Sequence, residues 1–186
     1  MTNNYKIVIL EKVLSINKGM VGKTSILSRY INDEFTKSME RTVNVNCFNK
    51  TLNINNSKYN LNIWVIFCLI GTAGEEKYHA LAPLYYRGSD GAVLVFDLCK
   101  KESFDLVHKW FKEIKGYDNN IQVILVGNKC DNPKYQIDID EAKKLATEYG
   151  ACYLSASALD GKNINEIFST LATGIIILNQ TYITIK

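Results

Sequence analysis

Apolar runs alternate with amphipathic stretches along the chain, and this alternation predicts strands and helices in turn. The runs at residues 91–97 and 121–127 are mostly apolar and show no alternation of apolar and polar positions, which is typical of strands buried on both faces of a parallel sheet. Residues 7–10 form a shorter β-branched run, and residues 151–154 form another short one. The pattern therefore predicts four strands.

Two further strands are expected between residues 51 and 67. The apolar runs 51–54 and 59–67 are separated by Asn55-Asn56-Ser57, and such polar triplets favour a turn. The arrangement predicts an antiparallel hairpin.

Helices are predicted where apolar residues recur every three or four positions. One such stripe carries Phe104, Val107, Trp110, Phe111 and Ile114. With Gly150 as a C-terminal stop, the spacing predicts helices over residues 25–35, 102–115, 139–149 and 163–178. The fold class is therefore α/β, with six mostly parallel strands flanked by about five helices, and the ligand is expected at the carboxyl ends of the strands.

Composition narrows the class of protein further. The chain has 186 residues, 47% of them hydrophobic, and a formal net charge of +3, which indicate a single domain over residues 1–186 and argue against disorder and against a nucleic-acid partner. Its five cysteines include no C-x-x-C pair, so reduced thiols in the cytoplasm are expected. No apolar run approaches the ~20 residues needed to cross a bilayer.

A phosphate-binding loop is indicated by Gly19-Met20-Val21-Gly22-Lys23-Thr24-Ser25, the second half of the pattern G-x-x-x-x-G-K-[ST]. In this pattern backbone N–H groups and a helix N-terminus cradle phosphate oxygens. Lys23 would reach the β- and γ-phosphates, and the Thr24 hydroxyl would ligate Mg²⁺. Asn17 stands at the first glycine of the pattern, a tolerable exchange because Asn adopts left-handed backbone more readily than most residues. The alternative is a Gly-Lys turn that opens an ordinary helix.

A guanine-reading sequence is indicated by Asn128-Lys129-Cys130-Asp131, which directly follows the predicted strand 121–127. The carboxylate of Asp131 accepts N–H bonds and would take two of them from guanine N1 and N2, whereas adenine has no such pair of donors. Lys129 would lay its aliphatic stem on the base, and Asn128 would tie this loop to the phosphate loop. The alternative is a polar turn that ends a strand.

These motifs, together with Trp64, the run from Thr72 to Leu81 and Ser157-Ala158, make the chain resemble the Rab-type small GTPases of the Ras-like superfamily, most closely the early-endosomal Rab proteins. The resemblance covers residues 5–175. It implies a P-loop NTPase fold, GTP or GDP and Mg²⁺ as cofactors, slow hydrolysis of GTP, and a switch that regulates vesicle traffic. It also implies effectors, exchange factors and GTPase-activating proteins as partners, and an endosomal or other vesicle membrane as the location.

The resemblance also implies roles for individual residues. Thr42 would reach Mg²⁺ and the γ-phosphate together with Thr24, Phe35 would pack near the base, and the backbone N–H of Ala158 would bind guanine O6. A rival register places that last role two residues earlier, in Ser155-Ala156-Ser157. The catalytic residues would be Lys23, Gly74 and Glu75, and the nucleotide-binding residues would be Gly19, Val21, Gly22, Lys23, Thr24, Ser25, Phe35, Thr42, Gly74, Asn128, Lys129, Asp131, Ser157 and Ala158.

The chain departs from the Rab pattern in ways that bear on catalysis. Six surplus residues lie near 11–16 and six more near 65–70. Gly71 stands where the family has the Asp that helps to hold Mg²⁺, Glu75 stands where it has the Gln that orients water, and Leu159 replaces the Lys of the Ser-Ala-Lys motif. The alternative function is therefore a pseudo-GTPase binding module or scaffold with impaired Mg²⁺ binding and hydrolysis.

The surplus segments allow two structural interpretations. The favoured expectation ends the first strand at residue 10 and loops residues 11–16 out. The alternative places residues 12–16 beside the sheet and displaces residues 5–10. The second segment would lengthen the third strand beyond Trp64. One hypothesis is that one or both segments are translated intervening sequence in a gene model of an active Rab. After Cys152 the chain has no cysteine, hence no C-a-a-X prenylation motif, so membrane association follows from the resemblance alone.

Overall fold

A six-stranded sheet with the order β2-β3-β1-β4-β5-β6 organises the molecule. The computed structural model describes residues 3–13, 21–36, 46–69 and 87–184, with side chains except at 11–13, 46, 66–69 and 182–184. The strands are β1 Asn3–Val13, β2 Asn46–Ile54, β3 Ser57–Leu69, β4 Gly91–Asp97, β5 Gln122–Asn128 and β6 Cys152–Ser155. Only the β2–β3 pair is antiparallel among these ladders, so the predicted mostly parallel α/β fold is confirmed.

Five helices occur within the described ranges, and they cover both faces of the sheet. They are α1 Lys23–Asn32, α2 Lys101–Asp105, α3 Val107–Tyr117, α4 Ile139–Glu148 and α5 Ile164–Thr184. α1 and α5 cover one face, where Ile26 and Phe168 are fully buried, whereas α2, α3 and α4 cover the other around Phe111. Alternate residues of β4 enter the two cores, which explains why all seven of its residues are buried.

The single helix expected over residues 102–115 is wrong, because the chain breaks at Leu106 between α2 and α3. Phe104, Leu106 and Val107 are all buried. Residues 104 and 106 would lie about 200° apart around one continuous helix. Phe104 and Val107 belong to the core on this face of the sheet, and Leu106 at the break is buried without belonging to that cluster.

The hairpin and the stop at Gly150 both form. Asn55 and Asn56 have φ angles of 50° and 61°, the left-handed backbone that a two-residue turn between antiparallel strands requires. Gly150 has φ 63°, its N–H donates to the carbonyl of Thr147 (3.0 Å), and the N–H of Ala151 donates to the carbonyl of Ala146 (2.9 Å). These two bonds form a Schellman motif that ends α4.

β1 is longer than expected, so the prediction that residues 11–16 loop out is wrong for residues 11–13. β1 continues to Val13, and its last three residues pair with the last three of β3, ending with Val13 beside Leu69. β3 does extend beyond Trp64 as expected. Residues 14–16 lie outside the described ranges. The described parts of the two surplus segments, residues 11–13 and 67–69, therefore pair as neighbouring parallel strands.

No helix in the described part of the chain is long and apolar enough to cross a membrane. The four cysteines with described side chains, Cys47, Cys99, Cys130 and Cys152, are free thiols.

Candidate functional site

A cleft of about 410 Å³ opens beyond the carboxyl ends of the central strands, the edge of an open α/β sheet where ligands bind. Residues from five places in the sequence meet there: the start of α1, the segment after α1, the turn after β4, the end of β5 and the loop after β6. The lining residues are Gly22, Ser25, Phe35, Thr36, Lys100, Asn128, Lys129, Asp131, Ala158 and Leu159.

The start of α1 forms one wall of the cleft. Gly22 is the N-cap, with φ 93° and ψ 28°, and its carbonyl accepts the first helical bond from Ile26 N–H (2.8 Å). The first N–H groups of a helix have no partner within it, and together with the helix dipole they favour an anion. Lys23 follows at once and is only 4% exposed, so an ammonium lies beside this helix end.

Asn128 joins three parts of the site. It is the last residue of β5 and is 1% exposed. Its Nδ2 donates to the carbonyl of Val21 (2.7 Å), and its Oδ1 accepts from the N–H of Ala158 (3.3 Å). One buried amide therefore fixes the spacing between the start of α1 and the loop after β6.

Lys129 is held by a buried carboxylate at the end of β4. Its Nζ lies 2.7 Å from Oδ2 of Asp97, whose side chain is 1% exposed, and the other oxygen of Asp97 accepts from the N–H of Cys99 (2.9 Å). Lys129 has φ 68°, a left-handed conformation that turns the chain sharply after β5. The ion pair fixes the direction of a lysine whose stem lines the cleft.

Asp131 provides a carboxylate hydrogen-bond acceptor in the lining of the cleft. Its Oδ1 accepts a 2.6 Å hydrogen bond from the hydroxyl of Ser157, a residue that is fully buried. A carboxylate has about four acceptor positions, so this bond orients the group and leaves acceptors for a ligand. A purine that presents two adjacent N–H donors matches this chemistry.

The loop after β6 places Ala158 in the cleft. Ala158 lines it, whereas the N–H of Ala156 donates to the carbonyl of Gly127 (2.8 Å) in a continuation of the sheet. The N–H of Ser157 is also engaged, by the carbonyl of Lys162 (3.1 Å). Of the two registers expected for guanine O6, the geometry favours Ala158, since its N–H faces only the long 3.3 Å contact with Asn128.

Two thiols lie close to these groups. Burial raises the pKa of the Cys99 thiol, and the carboxylate of Asp97 raises it further. Burial is also the main cause that raises the pKa of Cys130. Both sulfurs are therefore neutral thiols at neutral pH, since an ordinary cysteine already titrates near 8.5.

The cleft contains part of the predicted site and two residues that the sequence analysis did not name as site residues. Thr36 lines the cleft beside Phe35, and Lys100 reaches it from the turn after β4. Val21, Lys23, Thr24 and Ser157 lie next to lining residues rather than in the lining itself. Gly19, Thr42, Gly74 and Glu75 lie outside the described residues.

Lys100 carried a signal that was missed, because it follows β4, whose end adjoins the end of β5. Thr36 carried no sequence signal beyond its position directly after Phe35.

A helix start suited to phosphate and a purine-type acceptor loop, both at the carboxyl edge of a mostly parallel sheet, define a P-loop nucleotide-binding protein. Sequence comparison gives the family. The Ras family model matches residues 12–177, and the chain therefore belongs to the Ras family, whose members are GTPases.

Its relatives include Rab proteins. The chain is 40% identical over 176 residues to Ras-related protein Rab-21 of Dictyostelium discoideum, which covers 94% of this chain and 80% of that protein. It is 37% identical over 174 residues to Ras-related protein RABA4d of Arabidopsis thaliana, with 92% of this chain and 76% of that protein covered. Ras-related protein Rab11A of Lotus japonicus is also 37% identical over 174 residues, with 92% and 74% covered.

Proposed function

We propose that the chain binds guanine nucleotide in this cleft and acts as a Rab-type switch in vesicle traffic. The observation that carries the proposal is the shared cleft, in which Gly22 and Ser25 at the start of α1 face the same space as Asp131 and Ala158. Its volume of about 410 Å³ lies within the usual range for small-molecule sites. Phosphates and purine are therefore recognised from opposite walls.

The phosphates bind at the start of α1. Backbone N–H groups from Val21 to Ser25, and that of Gly19 as the motif predicts, would bind their oxygens, and Lys23 would neutralise the charge of the β- and γ-phosphates. Asp131 accepts the N1 and N2 hydrogens of guanine, and Ala158 donates its N–H to O6. Asn128 supports the assignment of phosphate binding to one wall and base binding to the other, because its bonds to Val21 and Ala158 fix the two walls relative to each other.

The residues present fit Mg²⁺ only in part. Within the described residues no cluster of three or more His, Cys, Asp or Glu side chains forms a ready metal centre, as expected where nucleotide phosphates and water supply most of the ligands. The hydroxyls of Thr24 and Thr42 would complete the set, and Mg²⁺ would offset the phosphate charge. Gly71 supplies no carboxylate, so weaker metal binding than in a typical Rab is expected.

Hydrolysis depends on Gly74 and Glu75. The N–H of Gly74 would meet the γ-phosphate, and Glu75 would stand beside the attacking water. A carboxylate only accepts hydrogen bonds, whereas glutamine also donates. The unassisted rate is therefore expected at or below the order of 10⁻⁴ per second, the level of small GTPases without an activating partner.

The Gly71 and Glu75 exchanges also favour a second function, a scaffold that binds nucleotide without turning it over. In either case effectors, exchange factors and GTPase-activating proteins would act on the switch regions. Association with an endosomal or other vesicle membrane is proposed from the similarity to Rab11A, Rab-21 and RABA4d.

Titration of the purified chain with fluorescent GDP in the presence of Mg²⁺ tests the proposal. Excess GTP should displace the probe and ATP should not. Asp131→Asn should weaken GDP and strengthen xanthosine diphosphate, since xanthine offers an acceptor where guanine has its 2-amino donor. Asp140→Asn, a carboxylate on α4 that is 83% exposed, should change neither affinity.

The outcomes separate the candidates. Equal competition by ATP and GTP would refute guanine recognition. Tight GTP binding with phosphate release supports the switch, and tight binding without release supports the scaffold.

A further inference from the structure

The guanidinium of Arg29 connects the end of α1 to the loop that follows β6. Its Nε donates to the carbonyl of Ala158 (3.1 Å) and its Nη2 donates to the carbonyl of Leu159 (2.8 Å). The Arg29 side chain is 19% exposed; its bond to Ala158 is partly buried, whereas its bond to Leu159 lies at the surface. They join residues about 130 positions apart at the wall of the cleft.

The same guanidinium is fixed from its own side. Its Nη1 donates to the carbonyl oxygen of Asp33 (2.9 Å) and to the Oδ1 of Asp33 (3.2 Å). Asp33 ends α1 in left-handed backbone, with φ 55°. The planar fork of Arg29 therefore spans the helix end and two successive carbonyls at once, which the single ammonium of a lysine cannot do.

A chain of hydrogen bonds runs from Arg29 to the acceptor of the cleft. In a trans peptide the C=O and the next N–H point in opposite directions, so fixing the carbonyl of Leu159 also fixes the N–H of Asp160. That N–H donates to Oγ of Ser157 (3.3 Å), and the Ser157 hydroxyl donates to Oδ1 of Asp131 (2.6 Å). The orientation of the Asp131 carboxylate thus depends on the peptide plane between Leu159 and Asp160, which Arg29 holds in place.

Arg29 also compensates for a residue that this chain lacks. Leu159 stands where the Ser-Ala-Lys motif of the resemblance predicts a lysine, and it is 45% exposed at the cleft. A leucine side chain provides no polar contact to hold its loop. The two carbonyl bonds from Arg29 supply that hold from the opposite side.

We propose that Arg29 is a positioning residue for base recognition, which orients the Ala158–Leu159 backbone and, through Ser157, the carboxylate that reads the 2-amino group of guanine. The proposal rests on the proposed function, since it assumes that guanine nucleotide is the ligand. It assigns specificity for the base to a side chain on the helix whose other end holds the phosphates.

The test compares GDP with inosine diphosphate, which lacks only the 2-amino group. Dissociation constants are measured by competition with fluorescent GDP for the unmodified chain, Arg29→Ala, Arg29→Lys and Asp33→Asn. Arg29→Ala should lower the preference for GDP over inosine diphosphate by about tenfold, the value of one hydrogen bond to a charged group. The preference of Arg29→Lys should lie between those of the unmodified chain and Arg29→Ala, because the lysine ammonium can hold only one of the two carbonyls.

Asp33→Asn is the matched control. It removes the ion pair of Arg29 but keeps both carbonyl bonds, so the GDP preference should stay unchanged. A merely structural role for Arg29 would weaken GDP and inosine diphosphate equally, and that result would overturn the proposal. So would an unmodified chain that binds both nucleotides equally.

Failure of the unmodified chain to bind GDP at all would instead contradict the proposed function. If Arg29→Ala does not fold, Arg29→Lys and Arg29→Gln decide the question, and a preference equal to that of the unmodified chain in both would overturn the proposal.

Discussion

Gly22→Ala is expected to be far more destabilising than a glycine replacement in a similar conformation elsewhere. Gly22 has φ 93°, and a Cβ added there would lie closer than 3.0 Å to Nδ2 of Asn128. Two separate effects follow. Left-handed backbone costs an L-residue about 1–2 kcal/mol, and the displaced Asn128 amide loses its bond to the carbonyl of Val21, which costs about 1–3 kcal/mol in a buried site.

The sum is a loss of about 2–5 kcal/mol in the free energy of unfolding. Urea denaturation of the nucleotide-free chain, in excess chelator, measures it. With a slope of about 2 kcal/mol per molar urea, the midpoint should fall by about 1–2.5 M. Gly161→Ala is the matched control, because Gly161 has φ 85° and an added Cβ would meet only Cδ of Arg29 at an ordinary 3.8 Å. That variant isolates the backbone strain.

A double-mutant cycle isolates the steric effect. In an Asn128→Ala background the amide that the new Cβ would meet is gone, so Gly22→Ala should cost only as much as Gly161→Ala does. The coupling between the two sites should reach about 1–3 kcal/mol. Equal midpoints for Gly22→Ala and Gly161→Ala, or an equal effect of Gly22→Ala in both backgrounds, would show that Asn128 does not pack against the phosphate loop.

Three further changes test other parts of the structure. Lys129→Ala should lower the free energy of unfolding by about 1–3 kcal/mol, because it leaves the buried Asp97 carboxylate without its ion pair. Adding Asp97→Asn to that variant should restore most of the loss, as measured by urea denaturation. Tyr30→Phe should raise stability by about 1 kcal/mol, since the Tyr30 hydroxyl is buried without a hydrogen-bond partner among the described residues. Burial raises the pKa of Tyr30 to about 12, so the unfolded state loses this proton first, and the free energy of unfolding should fall as the pH rises from about 10 toward 12; Tyr30→Phe should flatten this part of the profile. Deleting residues 11–16 or 65–70 alone should cost about 2–3 kcal/mol in lost strand pairing, and deleting both should cost less than the two single losses combined.

Elements buried on both faces were predictable from the sequence, and those that depend on a distant partner were not. β4 lies at the predicted residues 91–97, and β5 differs by one residue at each end, since burial on both faces leaves an uninterrupted apolar run. The end of β1 was missed because residues 11–13, Glu-Lys-Val, show no such run. Pairing with β3 extends the strand to Val13.

The residues of the candidate site also differ in whether the sequence predicts them. Asn128 and Asp131 were predictable because their motif follows a predicted strand, and Ala158 was implied by the resemblance to Rab proteins; the structure brings all three to one cleft. Lys100 and Arg29 have no motif of their own. Arg29 reaches the Ala158 carbonyl only because α1 packs beside the loop after β6, a contact that local sequence does not encode.

The pairing of β1 with β3 changes how the two surplus segments must be understood. The register is constant from Asn3 beside Tyr59 to Val13 beside Leu69, without a bulge, so residues 11–13 of the first surplus segment pair with residues 67–69 of the second. β1 pairs with β4 only as far as Leu10. Beyond that point residues 11–13 pair with β3 within the described ranges, and the two extensions depend on each other. A functional form of the chain that lacked one segment would leave the other without its strand partner. Of the cases that the hypothesis of translated intervening sequence allows, this pairing therefore favours a mature protein that contains both segments or neither, and a transcript that encodes only one of them would contradict this reasoning.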